Sequence, residues 1–441
     1  MSRLTQIDPQ IATLLEREWY RQNCTLQLIP SQSLVDEAIL ATQGSILTNL
    51  TVEGYPRQRY FPGCQVADDI ERLAAERART LFGTEHANVQ PHSGVNANIA
   101  VYLAVLEPGD TVLGMSLRHG GHLSHGYNLS LSGRFYRFVP YHVARDTEQI
   151  NYDTVRDLAF EERPKMIVAG GSAYSRLIDF ARLRQICDEV GALLMVDQAH
   201  IGGLVAAGLH PSPVPHADLI TGTTYKTLGG GKGAYILCKA AYARAIDRGV
   251  FPGVQGSFGP HTLAAKAVTF RMAMTEEFRE TQRRIVANAR HLVGRLQAAG
   301  WRIVAGGTDT HLFLVDVGSR GLTGQQAEEA LQAVGIYVNR NLIPFDPRPP
   351  LVTSGIRVGT PAVTFRGLGQ AEMDEVADMM LAVLERPDDA TLHEKVRAQV
   401  QSLCRRFPLY DGGPAGLAAR TSVLLESGES CSAFEDTDFH R

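Results

Sequence analysis

The sequence predicts an α/β protein: a large domain on a mainly parallel sheet flanked by helices, followed by a smaller C-terminal α/β domain. Three observations carry this. Apolar runs too short for helices recur along the chain and alternate with amphipathic stretches, the pattern of a parallel sheet covered on both faces. Two of these runs, residues 192–196 and 218–224, end on polar residues that suit a ligand crevice: Asp197 and His200 after the first, Tyr225 and Lys226 after the second. Finally, 441 residues exceed what one compact core accommodates, so a second domain is expected.

Taken in order, a helix starts near Asp8-Pro9, with aspartate as cap and proline in the first turn. Its apolar positions Ile11, Leu14, Leu15 and Trp19 have helical spacing, and such an arm packs on another subunit as readily as on its own. Residues 43–64 show little periodicity and read as a long loop of the kind that carries function. A helix is expected over 66–82, then a strand-turn-helix over 87–106 with Ser93-Gly94 where the helix begins. Alone, Ser93 reads as an ordinary N-cap; upstream of the Asp197/Lys226 pair it reads as a seat for a cofactor phosphate. A strand at 111–115 leads into RHGGHLSHG, with His119, His122 and His125 in one loop. No cysteine or carboxylate accompanies them, so one histidine stacking on a cofactor ring is expected rather than a metal site. A strand at 166–169, a helix at 180–190, a Gly/Pro loop at 251–261 and a helical bridge at 262–299 follow. WRIVAGG, HLFLVDV, residues 324–334, IYVNRN and SGIRVGT then alternate again to about Tyr410. The expected divisions are an N-terminal arm and interface loop (1–60), a large domain (61–285), a small domain (286–410) and a disordered acidic tail (411–441).

Composition excludes several classes. A formal charge of −4 gives no basic footprint for nucleic acid and no polybasic membrane patch. No apolar run approaches the ~18 residues of a membrane span, and MSRLTQIDPQ lacks a signal peptide's apolar core. Six cysteines without a C-x-x-C pair read as reduced thiols, and a cytoplasmic enzyme is expected.

An acid and a lysine at the carboxyl ends of successive strands suit pyridoxal 5'-phosphate. The lysine holds the aldehyde as a Schiff base, and the aspartate keeps the ring nitrogen protonated so that the ring draws electrons.

Seven stretches now appear in one order: EGYPRQRYFPGC, FGTEHANVQPHSG, LEPGDTVLGM, HGGHLSHG, VDQAHIGGLVAAGLHPSPVPHAD, FPGVQG and VTSGIRVGTPAVT. Over residues 7–410 the chain resembles the serine hydroxymethyltransferases, fold-type I pyridoxal-phosphate enzymes with a seven-stranded sheet. The resemblance implies tetrahydrofolate as co-substrate and a homodimer, or dimer of dimers, with shared active sites. It makes Lys226 the Schiff-base lysine, Asp197 the partner of the ring nitrogen, His200 a neighbour of the ring's phenolic oxygen and His122 the stacking histidine. Ser93, Gly94 and Ser172 fall at cofactor-binding positions, with Gly256 offered from the partner subunit. Arg357 clamps the substrate carboxylate through two nitrogens, which a lysine cannot imitate. Ser31 is substrate-side, Glu53 shuttles a proton, and Leu117, Gly121, His122, Leu123 and Asn341 line the folate pocket.

Departures from the family pattern cluster near the cofactor. A tyrosine becomes Thr51, the second serine of the phosphate turn becomes Val95, and the histidine before the lysine becomes Tyr225. The second tyrosine of the family's RYYGG becomes Phe61, and its Pro-Arg becomes Gly231-Lys232. A wall that rejects one methyl group does so at ~1–3 kcal/mol, and Tyr→Thr at 51 is a way to admit it. The sequence expectation is therefore an enzyme interconverting α-methylserine and D-alanine. The alternatives are an ordinary serine/glycine hydroxymethyltransferase, a folate-independent aldolase or threonine transaldolase, and a non-catalytic pyridoxal-phosphate-binding protein.

Overall fold

The computed structural model describes residues 3–410. The expected disordered tail, 411–441, lies outside the described residues. The large sheet has seven strands: β1 (His86–Asn88), β2 (Thr111–Met115), β3 (Arg137–Tyr141), β4 (Met166–Ala169), β5 (Leu193–Asp197), β6 (Leu219–Thr223) and β7 (Ala234–Cys238). They lie in the order β1-β7-β6-β5-β4-β2-β3. All run parallel except β7, which is antiparallel to both neighbours. The central strands β4 and β6 are buried at every position, as unalternating apolar runs should be when helices cover both faces.

Helices begin and end where local chemistry dictates. Pro9–Cys24 is capped by Asp8, whose Oδ1 accepts from Ile11 N at 3.0 Å. Gln65–Phe82 and Phe180–Val190 both stop at a glycine in the left-handed region, Gly83 and Gly191. The expected bridge at 262–299 is two helices, Pro260–Ala273 and Glu276–Ala298. Thr275 divides them because its extended backbone and Oγ1, accepting from Phe278 N at 3.2 Å, start a new helix. The loop at 43–64 is more ordered than expected. It holds a 3₁₀ turn, Ile46–Asn49, and a hairpin pairing Gly54–Tyr55 with Gln58–Arg59. Arg59 ties that hairpin to Asp68 (2.7 Å) and Glu71 (2.5 Å) on the following helix.

The second sheet is antiparallel throughout, with Arg302–Ile303, Leu312–Asp316, Gly355–Gly359 and Asn339–Asn341 side by side. It has a core of its own, which Leu26 and Leu28 join because Leu26–Gln27 pairs with Ile336–Tyr337. Helix Glu276–Ala298 spans the expected domain boundary at 285/286. Phe278 and Val286 pack in the large core, Leu292 and Leu296 in the small one. On the N-terminal helix Ile11, Leu14 and Leu15 remain exposed. Cys64, Cys187, Cys238 and Cys404 are buried free thiols. No helix among the described residues is long and apolar enough to cross a membrane.

Candidate active site

Strand numbering reverses between β2 and β4, and a cleft opens at the carboxyl ends around that point. Its walls come from the segments after β2 (His122, His125), β4 (Gly170 to Ser172), β5 (Asp197, His200) and β6 (Tyr225, Lys226), and from Ser93 to Val95 at a helix start.

At that start Ser93 caps helix Gly94–Val105, its Oγ accepting from Asn96 N at 3.3 Å and donating to Asn96 Oδ1 at 2.7 Å. The first-turn amides of Gly94 and Val95 have no intrahelical acceptor and carry the positive end of the helix dipole. A Cβ on Gly94 would stand 3.0 Å from Thr223 Cγ2, so glycine permits the helix start to approach β6.

Asp197 is held from three sides. Its Oδ2 accepts from Asn98 Nδ2 (3.0 Å) and pairs with His125 Nε2 (3.0 Å), and its Oδ1 accepts from Ala199 N (2.9 Å). Burial would raise its pKa, but the His125 hydrogen bond and neighbouring positive charge outweigh burial and hold it well below the carboxylate range. Behind it, His125 Nδ1 lies 2.6 Å from Tyr102 Oη. The three loop histidines thus have three roles. His122 lines the cleft with Nδ1 2.7 Å from Ser124 Oγ, and burial brings its pKa down to about 4. His125 supports Asp197, whereas His119 is buried against His142 and Phe345. Sequence reasoning missed His125, Asn98 and Tyr102. The available signal was a second histidine three residues beyond His122 in the same glycine-rich loop.

Lys226 is nearly fully buried, and among the described residues its amine makes no hydrogen bond or ion pair. Burial lowers its pKa to about 8; Asp197 opposes this, while Arg357 and Lys232 add to it. Lys232 Nζ sits 4.1 Å from the centre of the Tyr225 ring, so two of the family departures form one cation–π pair. His200 closes the cleft floor, with Nδ1 3.3 Å from His311 Nε2.

Arg357, on the small sheet, reaches across: Nη1 donates to Ser172 O at 2.5 Å and Nε to Asn339 Oδ1 at 3.1 Å. Burial pulls its pKa down to about 10. Pro30 packs against Gly359, which places Ser31 beside the strand that carries Arg357. Leu117, Gly121 and Leu123 share the loop after β2, with both leucines exposed. Gly121 must be glycine there, since a Cβ would lie 2.1 Å from Met115 O. Asn341 pairs in register with Gly355 on the Arg357 strand.

Thr51, Glu53, Phe61 and Gly256 do not line the cleft of their own chain. A bridge between Val52 and Phe258 holds Glu53 beside Gly256, whose Cβ would meet Glu53 Oε1 at 3.1 Å.

A buried amine without a partner among the described residues, a thrice-held aspartate and an anion seat, all at the carboxyl ends of one mainly parallel sheet, define a fold-type I pyridoxal-phosphate enzyme. These residues fit the cofactor: Lys226 for the aldehyde, Asp197 for the ring nitrogen, Ser93 and Gly94 for the phosphate. The family model for serine hydroxymethyltransferase matches residues 4–380. Over 407 residues the chain is 54% identical to Serine hydroxymethyltransferase 1 of Pseudomonas fluorescens (strain Pf0-1), covering 92% of this chain and 99% of that protein. The chain belongs to the serine hydroxymethyltransferase family, and is a pyridoxal-phosphate-dependent hydroxymethyltransferase with tetrahydrofolate as co-substrate.

Proposed function

We propose that the chain transfers a hydroxymethyl group between serine and glycine, with tetrahydrofolate carrying the one-carbon unit. The observation that carries this is the 54% identity to a serine hydroxymethyltransferase along almost its whole length. It weighs more than the sequence expectation of α-methylserine and D-alanine, which rests on a few substitutions.

Bound pyridoxal phosphate supplies the electron sink for the bond broken at the substrate α-carbon. Arg357, held by Asn339 Oδ1 and Ser172 O, binds the substrate carboxylate through its guanidinium and so fixes the substrate's orientation in the cleft. Asp197, its carboxyl held well below the usual carboxylate range, would keep the ring nitrogen protonated. Lys226 would hold the cofactor's aldehyde, and Glu53 holds and returns the proton of the hydroxymethyl oxygen. Glu53 reaches the chemistry from a second copy of the chain, which also brings Thr51, Phe61 and Gly256. The exposed apolar face of the N-terminal helix and the position of the Glu53–Gly256 pair outside its own cleft support this.

One observation keeps the D-alanine reading as a second one: Val95 and Tyr225, both departures from the family pattern, line the cleft. Purified enzyme given 5,10-methylenetetrahydrofolate with either glycine or D-alanine separates the two. Serine from glycine at the higher kcat/KM is expected. Faster formation of α-methylserine from D-alanine overturns the first reading for the second, and turnover of serine without any folate defeats both.

A further inference from the structure

The His200–His311 pair has a consequence for the cofactor that neither residue shows alone. His200 follows β5 on the large domain, and its carbonyl accepts from Thr227 Oγ1 at 2.9 Å. His311 precedes strand Leu312–Asp316 of the small sheet, and its carbonyl accepts from Thr360 N at 3.1 Å. Both backbones are thereby fixed. The rings stack at 5.6 Å with 22° between their planes, and His200 Nδ1 faces His311 Nε2 at 3.3 Å. Both side chains are buried, and burial, reinforced by Lys226 and Arg357, keeps both imidazoles uncharged.

Two neutral rings meeting nitrogen to nitrogen share one proton, so one of them donates and the other accepts. His311 Nδ1 is fully buried and has no hydrogen-bond partner among the described residues. That orphan decides the direction. If His200 donated, the remaining proton of His311 would sit on Nδ1, a buried N–H with no acceptor. If His311 donates from Nε2, the orphan is a bare lone pair, and unfilled acceptors are tolerated in protein interiors better than orphaned N–H groups. The second arrangement leaves His200 with its proton on Nε2, the nitrogen not taken by His311, and His200 lines the cleft.

We infer that His311 is a positioning residue: it donates from Nε2 to His200 Nδ1, fixes His200 as its Nε2–H tautomer, and so presents a hydrogen-bond donor to the cofactor's phenolic oxygen. The small domain thus sets the hydrogen-bonding sense of a group on the large-domain floor of the site.

Nitrogen-15 NMR of histidine-labelled holoenzyme reads the tautomer directly, with the His200 signals assigned by their loss in His200→Asn. The expected result is a proton-bearing Nε2 and a bare Nδ1. A proton on Nδ1, alone or in an imidazolium, overturns the inference. Two variants add a functional readout. His311→Leu removes the donor and is expected to weaken pyridoxal-phosphate binding about tenfold, the loss of one hydrogen bond, and to shift the cofactor's visible absorption band. His311→Gln restores a donor near the Nε2 position and is expected to recover most of the affinity and the band. Wild-type tautomer and affinity in His311→Leu, or a His311→Gln protein as impaired as His311→Leu, sinks the idea. The wild-type spectrum keeps it testable should a variant fail to fold.

Discussion

A lysine amine buried beside an arginine and a second lysine has surrendered much of its proton affinity before any cofactor arrives. Burial takes the Lys226 pKa from 10.5 to about 8, with only Asp197 pulling back. The free base attacks an aldehyde and the ammonium cannot, so this shift raises the reactive fraction near neutrality. Capture of pyridoxal phosphate by the apoenzyme is therefore expected to accelerate as pH rises through about 8 and then level off, followed by stopped-flow absorbance. Asp197→Asn removes the opposing charge and moves the midpoint down. A wild-type midpoint near 10 contradicts the buried-amine account. Linkage gives the same sign: between about 8 and 10.5 the unfolded chain binds the proton that the folded chain has lost, so apoenzyme stability rises with pH across that window. Lys226 and Asp197 were legible in the sequence because each ends an apolar run. His125 and His311 were not, because a histidine's partners are set by tertiary contacts among β2, β5 and the small sheet.

Elements were legible in proportion to how far their signals are local. Thr111–Met115, Met166–Ala169 and Phe180–Val190 match the expected residues, each bounded by turn chemistry next to a clear apolar pattern. The antiparallel direction of β7 left no mark, since a strand buried at every position has the same composition whichever way it runs. The break at Thr275 was hidden by the Arg- and Ala-rich helix formers on either side. The β4–β5 contact shows how an element end places chemistry. Gly170 follows β4 with φ 127°, and a Cβ there would stand 2.2 Å from Asp197 O. Gly170→Ala must push Asp197 or strain the turn, and is expected to cost about 2–4 kcal/mol in chemical denaturation and to weaken pyridoxal-phosphate binding. Gly191, at φ 72° with open space around its Cβ position, is the control. Gly191→Ala is expected to cost only ~1–2 kcal/mol and leave cofactor affinity unchanged. Equal effects on cofactor affinity would show that the Gly170 approach does not position Asp197.

At the scale of the molecule, the proposed reaction needs groups that one chain keeps apart. Lys226, Asp197 and the phosphate seat surround the cleft, while Glu53 sits with Gly256 outside it. The shared site proposed above would resolve this through an isologous pairing, in which a two-fold axis lets each chain lend its Glu53 segment to the other's cleft. That arrangement has an arithmetic signature. In a mixed dimer of Lys226→Ala and Glu53→Gln chains, one composite site carries both lesions and the other carries neither. Random reassortment of equal amounts then leaves about one site in four intact. Denaturing and refolding the two inactive proteins together is therefore expected to recover about a quarter of the wild-type rate, while each refolded alone stays inactive. If Glu53 serves the cleft of its own chain, every site in the mixture carries a lesion and no activity returns. Size-exclusion chromatography with light scattering on the same samples gives the assembly state, and a monomeric active enzyme would end the shared-site proposal outright.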